Sequence, residues 1–238
     1  MSTLLNWIQA YYKFDEATGT LAETSVWSSD ITMSHSWILW GTWKINNGAD
    51  FSGGNNRIGT SSAILTWTTD FAIGMWARFP DNAVQFFFDN RNGTQNQNRI
   101  FFSRQSNTSD TAWRRIRFFY NITTQNQSLY STSDINDNEW YLLGFQSVWT
   151  TLSLWINWVQ NNTLTRAAWN ILQSWTWKWG NHYVVSSTFT GLKGNLDEAP
   201  VYNRWLTSAE WLELYNSWNW LSYPFTSKSS AWFLMRNF

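Results

Sequence analysis

The chain has no cysteine, only three prolines and only 12 glycines among its 238 residues. The lack of cysteine excludes disulfide bonds, thiolate metal sites and cysteine nucleophiles, so the apolar core alone has to hold the fold. Neither sign of charge is in excess, because 16 basic residues balance 16 acidic ones. A neutral chain has no field that would steer it to nucleic acid, so we expect no nucleic-acid partner.

Long apolar runs and targeting signals are also missing. Residues 1–6 lack the basic region that precedes the apolar stretch of a secretion signal, and no run of 18 apolar residues follows anywhere. We therefore expect no membrane insertion. A protein of this kind that works outside the cell would leave by another route, be a fragment, or travel as part of a particle.

Tryptophan is abundant where glycine is scarce, with 21 Trp against 12 Gly. A glycine share of about 7% would give roughly 17 in a chain of this size. Residues 152–160 predict a hairpin with Asn157-Trp158 as its turn, a place that favours Asn-Gly because both residues need positive φ. Tryptophan also stands in polar, turn-like positions at Trp7, Trp37, Trp175, Trp218 and Trp220.

We hypothesise that many of these tryptophans are encoded by UGA codons that the source organism reads as glycine. The alternative is a genuinely tryptophan-rich chain with aromatic surface loops. UGG codons at Trp7, Trp158 and Trp218 would contradict the recoding hypothesis.

The strand pattern predicts an all-β fold. Residues 71–79 alternate with period two, which places Phe71, Ile73 and Met75 on one face and Trp76 and Arg78 on the other. Further strands are predicted at 8–14, 49–52, 84–89, 99–104, 115–121, 139–147, 152–156, 184–187 and 192–202. The capping-box spacing of Thr207 and Glu210 predicts one short helix near 207–216.

The stretch 194–210, Gly-Asn-Leu-Asp-Glu-Ala-Pro-Val-Tyr-Asn-Arg-Trp-Leu-Thr-Ser-Ala-Glu, resembles the Gly-x-Ile-Asp-Glu-Val-x-Ile-Tyr-x-Arg-x-Leu-(Ser/Thr)-x-Glu signature of laminin-G-like, concanavalin-A-like domains. The resemblance covers roughly residues 4–222, so 1–222 is interpreted as one domain and 223–238 as a tail or linker. It implies a two-sheet antiparallel jelly-roll β-sandwich. Pro200 departs from the pattern and predicts a sheet edge or a bulge.

The family resemblance implies binding of glycans or proteins. By alternation, Trp76, Arg78, Trp140, Gln146 and Trp155 lie on the face opposite the core side chains. Aromatic rings suit the apolar faces of sugars, and arginine and glutamine suit their hydroxyl groups, so these residues predict a carbohydrate-binding platform. The alternative is that loops cover this face and bury the aromatics as a second small core.

The resemblance also implies one structural calcium ion. Asp15, Asp50 and Asp197 are the candidate ligands, because they stand at strand ends and Ca²⁺ prefers carboxylate and carbonyl oxygens. The alternative is that Asp197 and Glu198 cap turns or pair with Arg204.

Enzymatic activity is not expected. The chain lacks the Glu-x-Asp-x-x-Glu run of glucanases that share the fold, and no residue is predicted to be catalytic. We expect a non-catalytic carbohydrate-binding module for glycans or glycoproteins, extracellular or virion-associated, as in a tail fibre or adhesin. The alternatives are a structural or protein-protein interaction module and a divergent glycoside hydrolase.

Overall fold

A computed structural model describes residues 3–15, 33–36, 39–42, 44–52, 57–60, 64–65, 68–80, 84–90, 99–105, 114–122, 125–166, 177–180, 190–216 and 225. These residues form strands and a single α-helix, α1 (Ser208–Tyr215). The strands are β1 (Ile8–Tyr12), β2 (Met33–Ser36), β3 (Leu39–Thr42), β4 (Asn47–Ser52), β5 (Arg57–Thr60), β6 (Phe71–Arg78), β7 (Gln85–Asp89), β8 (Arg99–Gln105), β9 (Arg115–Ile122), β10 (Gln125–Tyr130), β11 (Trp140–Val148), β12 (Thr151–Ile156), β13 (Val159–Thr165), β14 (Lys178–Trp179), β15 (Thr190–Gly191), β16 (Lys193–Asp197) and β17 (Ala199–Tyr202).

Two sheets share these strands. Sheet I has nine strands in the order β13-β12-β11-β6-β16-β4-β3, with β17 joining β1 to β6. Sheet II has eight strands in the order β10-β9-β8-β7-β14-β5-β2, with β15 beside β7. Every pair is antiparallel except the short β15–β7 pair. The predicted all-β, two-sheet fold is therefore confirmed.

The main core lies between the two sheets. Phe71, Ile73 and Met75 of β6 are all buried in it, as the period-two pattern predicts. Phe145 of β11 stacks on Phe102 of β8, with ring centroids 3.6 Å apart. Aromatic stacking of this kind joins sheet I to sheet II and, with the aliphatic side chains around it, takes the place of disulfide bonds in holding the layers together.

The predicted strand 192–202 is interrupted. It divides at Glu198, which has a φ of 48° and separates β16 from β17. The Tyr11 hydroxyl donates a hydrogen bond to the Glu198 carboxylate from the neighbouring strand. Pro200 itself lies within β17 and pairs with Tyr11 of β1, so the break is at Glu198 and not at the proline, where an edge or a bulge was predicted. The predicted strand 184–187 lies outside the described residues.

Helix α1 begins with the predicted capping box. The Thr207 hydroxyl accepts a hydrogen bond from the Glu210 backbone N–H at 3.2 Å, and the Glu210 carboxylate accepts one from the Thr207 N–H at 2.9 Å. The helix ends at Asn216, which has a φ of 43° and supplies the left-handed cap. Trp218, one of the tryptophans at glycine-favouring positions, follows the helix and lies outside the described residues.

Among the residues that the structure describes, three tryptophans have a positive φ, the conformation that glycine adopts most readily. Trp158 has a φ of 66° and follows Asn157 at 49°, which confirms the predicted geometry of the β12–β13 hairpin turn. Trp7 has a φ of 60°, and Trp149, in the turn between β11 and β12, has a φ of 51°. Trp37, Trp175, Trp218 and Trp220 lie outside the described residues. The UGA hypothesis itself stays a prediction.

Candidate functional site

The face of sheet I that points away from the core is covered by α1. Trp76 is fully buried and Trp155 is 4% exposed. Trp76 stacks on Tyr215 of the helix at 5.7 Å between ring centroids, and Trp155 stacks on Trp211 at 5.8 Å. These rings form a second core, so the prediction that they present an open sugar platform is wrong and the alternative of a buried cluster is correct.

Gln146 was predicted to contact a sugar and instead holds the helix. Its side-chain oxygen accepts hydrogen bonds from the indole N–H of Trp211 and from the backbone N–H of Leu206, both at 3.1 Å. A buried amide is stable only when it is hydrogen-bonded, and here the partners come from α1 and the loop before it. Gln146 therefore positions α1 on sheet I and is not accessible to a ligand.

Phe225 adds to the same second core. It is 3% exposed and packs edge-on against Tyr11, with ring centroids 5.4 Å apart. Within the predicted tail 223–238, Phe225 is the residue that the structure describes, and it packs on the sandwich.

Arg78 and Trp140 are half-buried, and Trp140 packs against the second core. Strand register places Trp140, Arg78, Asn195 and Asp50 in one row across β11, β6, β16 and β4. Burial raises the pKa of Asp50, while Arg78 and a hydrogen bond from Asn195 oppose the shift. The Arg78 Nε donates to the Asn138 carbonyl at 3.2 Å. Arg78 and Asp50 therefore already have polar partners, Asn138 and Asn195 respectively.

The three predicted calcium ligands do not form one cluster. Asp50 faces Arg78 and Asn195, whereas one Asp15 carboxylate oxygen accepts a hydrogen bond from the Asn47 backbone N–H at 3.2 Å. Among the residues that the structure describes, no group of three or more histidine, cysteine or acidic side chains is arranged to hold a metal ion. Calcium binding stays a prediction, and it does not rest on these three carboxylates acting together.

Asp197 is fully buried, unlike the half-buried Asp15 and Asp50. Burial, and then the neighbouring Glu198 carboxylate, raise the pKa of Asp197 to about 9. Its Oδ2 atom accepts a hydrogen bond from the Ile45 N–H at 2.8 Å, while Oδ1 has no hydrogen-bond partner among the residues that the structure describes. Arg204 pairs with Glu210 and not with Asp197 or Glu198, so that alternative is also corrected.

A shallow groove of about 410 Å³ lies beside the start of α1, lined in part by Trp7, Arg204 and Glu210. The Arg204 guanidinium is fully used there. It donates to both carboxylate oxygens of Glu210 and to the backbone carbonyls of Thr3, Asn6 and Trp205. The groove therefore has no spare charge to offer a ligand.

The outer face of sheet II carries a different set of side chains. Phe101 and Phe119 are cross-strand partners on β8 and β9 and stack with ring centroids 4.4 Å apart. Phe86 continues the ladder at 5.2 Å from Phe101. We call this surface the aromatic–arginine face, and it consists of Phe86, Phe101, Phe119, Tyr130, Arg99 and Arg117.

Two guanidinium groups lie over the same phenyl pair. The guanidinium carbon of Arg99 is 4.5 Å from the Phe101 centroid, and that of Arg117 is 5.0 Å from the Phe119 centroid. Arg99 also forms a bidentate pair with buried Asp89 at 3.1 and 3.0 Å. Cation–π contacts and the carboxylate pairing fix Arg99 rigidly in the face.

Arg117 and Tyr130 form the outer edge of the aromatic–arginine face. They are cross-strand partners on β9 and β10, with the guanidinium carbon 5.6 Å from the tyrosine ring centroid. Tyr130 is 39% exposed and Arg117 is half-buried. Within the aromatic–arginine face, Tyr130 and Arg117 are the residues that place an aromatic ring and a charged hydrogen-bond donor side by side near solvent.

Sequence reasoning missed this face, although a signal for it exists. Arg99, Phe101 and Ser103 alternate along β8, as Arg115, Arg117 and Phe119 do along β9. Their spacing identifies one sheet face. Only the register of β8 against β9 shows that the arginines and phenylalanines of the two strands meet.

Solved structures share this architecture at low sequence identity. Domain 4 of AbnA, a GH43 extracellular arabinanase from Geobacillus stearothermophilus solved in complex with arabinotriose, matches with a TM-score of 0.68 and 14% identity, over 87% of this chain and 97% of that domain. The chain is a jelly-roll β-sandwich. This agrees with the concanavalin-A-like fold that the resemblance implied.

Two toxin structures match over about half of their own length. The binding domain of Paraclostridial Mosquitocidal Protein 1 has a TM-score of 0.68 and 13% identity, over 90% of this chain and 53% of that one. A botulinum neurotoxin type C structure, described as depending on two ganglioside molecules for cell entry, has a TM-score of 0.65 and 10% identity, over 92% and 53%. At such identities the likeness establishes the fold.

No family model matches the sequence, and no curated protein matches it. The laminin-G-like assignment is therefore still a resemblance. In the described part of the chain, no helix has the length and apolar character to cross a membrane.

Proposed function

We propose that the chain is a non-catalytic carbohydrate-binding module and that it binds glycans through the aromatic–arginine face. The observation that carries the proposal is the pairing of Tyr130, 39% exposed, with the half-buried guanidinium of Arg117 across adjacent strands. A phenol ring suits the apolar face of a pyranose, and a guanidinium beside it suits the ring substituents.

The phenyl ladder beneath this pair makes the site rigid. Arg117 contacts the rings of Phe101 and Phe119 at 5.2 and 5.0 Å, and its Nε and Nη2 atoms both donate to the Ser128 hydroxyl, at 3.0 and 2.7 Å. A side chain that is already fixed loses little entropy when it meets a ligand. This preorganisation supports binding as the role of the face.

The fold likeness supports the same class of function. One matching domain was solved with arabinotriose bound, and another matching structure is described through its interaction with gangliosides. We extend this to a glycan or glycoprotein partner for the present chain, at an extracellular surface or on a virion. The tail-fibre or adhesin context is part of the proposal.

The divergent-hydrolase alternative has less support. Glycoside cleavage needs two carboxyl groups about 5–9.5 Å apart in a cleft, with at least one free to exchange a proton. Among the described residues, the carboxylates of Asp89, Asp137 and Glu210 are each paired with arginine. Asp197 and Glu198 are adjacent but fully buried, so they do not line a cleft.

The test is a glycan array followed by titration calorimetry with the best-retained glycan. We expect Tyr130→Ala to weaken binding about tenfold, because it removes the stacking ring. Trp205→Ala is the matched control, since Trp205 is similarly exposed at 43% but lies between β17 and α1. Its affinity should equal that of the unmodified protein.

A second pair of variants compares the two sheets. If Arg78→Gln on sheet I abolished binding and Tyr130→Ala did not, the glycan site would lie in the row that contains Trp140. An array on which no glycan is retained would overturn the proposed function and favour the protein-protein interaction alternative.

A further inference from the structure

We infer that the aromatic–arginine face selects saccharides that carry a carboxylate group. The inference rests on the proposed function and names its ligand class. The observation behind it is an imbalance of charge within the face, which contains two guanidinium groups and one partner carboxylate.

Arg99 and Arg117 differ in their partners. Arg99 is neutralised by Asp89 at 3.0 Å, and both of these side chains are buried. Arg117 has no carboxylate partner among the residues that the structure describes, and its hydrogen bonds run to the neutral Ser128 hydroxyl. The face therefore holds one uncompensated positive charge.

The positive charge of Arg117 is destabilised by its partial burial. Burial lowers the pKa of Arg117 and the Arg99 guanidinium lowers it further, whereas Tyr130 opposes the shift. The ring faces of Phe101, Phe119 and Tyr130, at 5.0–5.6 Å, compensate only in part, because a cation–π contact is weaker than an ion pair. A bound carboxylate would supply the missing anion.

The geometry leaves room for this anion. Nε and Nη2 of Arg117 donate to Ser128, while Nη1 donates to no residue in the described part of the chain. Arginine presents its N–H groups in a planar fork that binds carboxylates in a bidentate manner. A uronic acid or sialic acid whose ring stacks on Tyr130 would place such a group beside the guanidinium.

A saccharide acid fits the face better than a nucleic acid does. Nucleic acids are bound through many phosphate contacts, each neutralised by a basic side chain. The face has a single uncompensated cation, and the whole chain has a formal net charge of zero. A saccharide with one carboxylate group, on an otherwise uncharged ring that can stack on Tyr130, would neutralise this single cation.

The test compares oligogalacturonate with its methyl ester, which keeps the sugar backbone and removes the charge. We expect the acid to bind at least about tenfold more tightly at low salt, and the difference to shrink as salt is added. Arg117→Gln should abolish the preference, and Arg117→Lys should restore part of it. Arg114→Gln is the control, because Arg114 is 40% exposed and paired with Asp137, and it should leave the preference unchanged.

The outcomes separate this inference from the proposed function. Equal affinity for acid and ester, or retention of neutral glycans alone on an array, would overturn the inference and leave carbohydrate binding in place. Retention of no glycan would overturn both. Single-stranded DNA bound as tightly as oligogalacturonate would replace the saccharide acid with a general polyanion site.

Discussion

The indole ring of Trp211 lies directly on Gly144. A Cβ atom at position 144 would lie only 2.6 Å from Cη2 of that ring, and one at Gly74 would lie 3.3 Å from its Cζ3 atom. Gly144 and Gly74 are cross-strand partners on β11 and β6. Because neither has a side chain, they leave a gap that the Trp211 side chain of α1 fills, and we call this gap the seat. This seat decides where the helix packs on sheet I.

Substitution at the seat should destabilise the protein. We expect Gly144→Ala to cost about 1–3 kcal/mol, because the added methyl group forces the helix away from β11. Trp211→Ala should cost about 3–5 kcal/mol through the cavity that it leaves. Urea unfolding measures both. Gly59→Ala is the control, since a Cβ there would lie 3.9 Å from its nearest neighbour.

The double variant Gly144→Ala/Trp211→Ala tests whether the two positions are energetically coupled. With the indole gone, the extra methyl group at position 144 has room, so the combined loss should be smaller than the sum of the two single losses. Strict additivity would show that Trp211 and Gly144 are not coupled.

Replacement of the exposed left-handed tryptophans by glycine should stabilise the fold. Trp7 and Trp149 are 67% and 62% exposed and have φ values of 60° and 51°, so glycine would relieve backbone strain and lose little packing. We expect Trp149→Gly to gain about 1 kcal/mol in urea unfolding. Trp205→Gly, at an exposed position without positive φ, should instead lose stability. A loss of similar size at all three positions would argue against strain.

The codons should differ between tryptophans with positive φ and tryptophans buried in the second core. We expect UGA at positions 7, 149 and 158, where φ is positive, and UGG at Trp76, Trp155 and Trp211, which are buried in the second core. Sequencing the gene checks this directly, as does mass spectrometry of the protein expressed in its own host. UGG at all six positions would contradict the recoding hypothesis.

The stability of the helix cap should depend on pH through Glu210. Burial raises its pKa, but hydrogen bonds from Arg204, Thr207 and Thr3 outweigh burial and lower the pKa to about 2 from an ordinary 4.5. The folded state therefore favours the ionised form, and this stabilisation is present above about pH 4.5 and is lost as the pH falls toward 2.

Glu210→Gln keeps a side chain suited to the capping box and removes the charge. It should destabilise the protein by about 2 kcal/mol at pH 7 and by much less at pH 2, where about half of the Glu210 carboxyl groups are protonated; urea unfolding at the two pH values measures this. Glu213→Gln, in the same helix, is the control variant. An equal loss at both pH values would assign the effect to packing.

The sequence predicted the elements of the fold better than the site. The alternation of Phe71, Ile73 and Met75 identified the core face of β6, and the Thr207–Glu210 spacing identified α1. It did not show that α1 covers Trp76 and Trp155, because periodicity tells which residues share a face and not what packs on it. The platform prediction failed for that reason.

Local backbone chemistry was set by the sequence alone. Hairpin turns, the capping box and the two faces of each strand follow from torsional preferences and from the period of two, which involve only neighbouring residues. The tertiary structure decided what packs on each face. The paired glycines Gly74 and Gly144 admit Trp211 on sheet I, while the register of β8, β9 and β10 gathers Arg117 and Tyr130 on sheet II. Both depend on contacts between residues far apart in the chain, which local preferences do not encode.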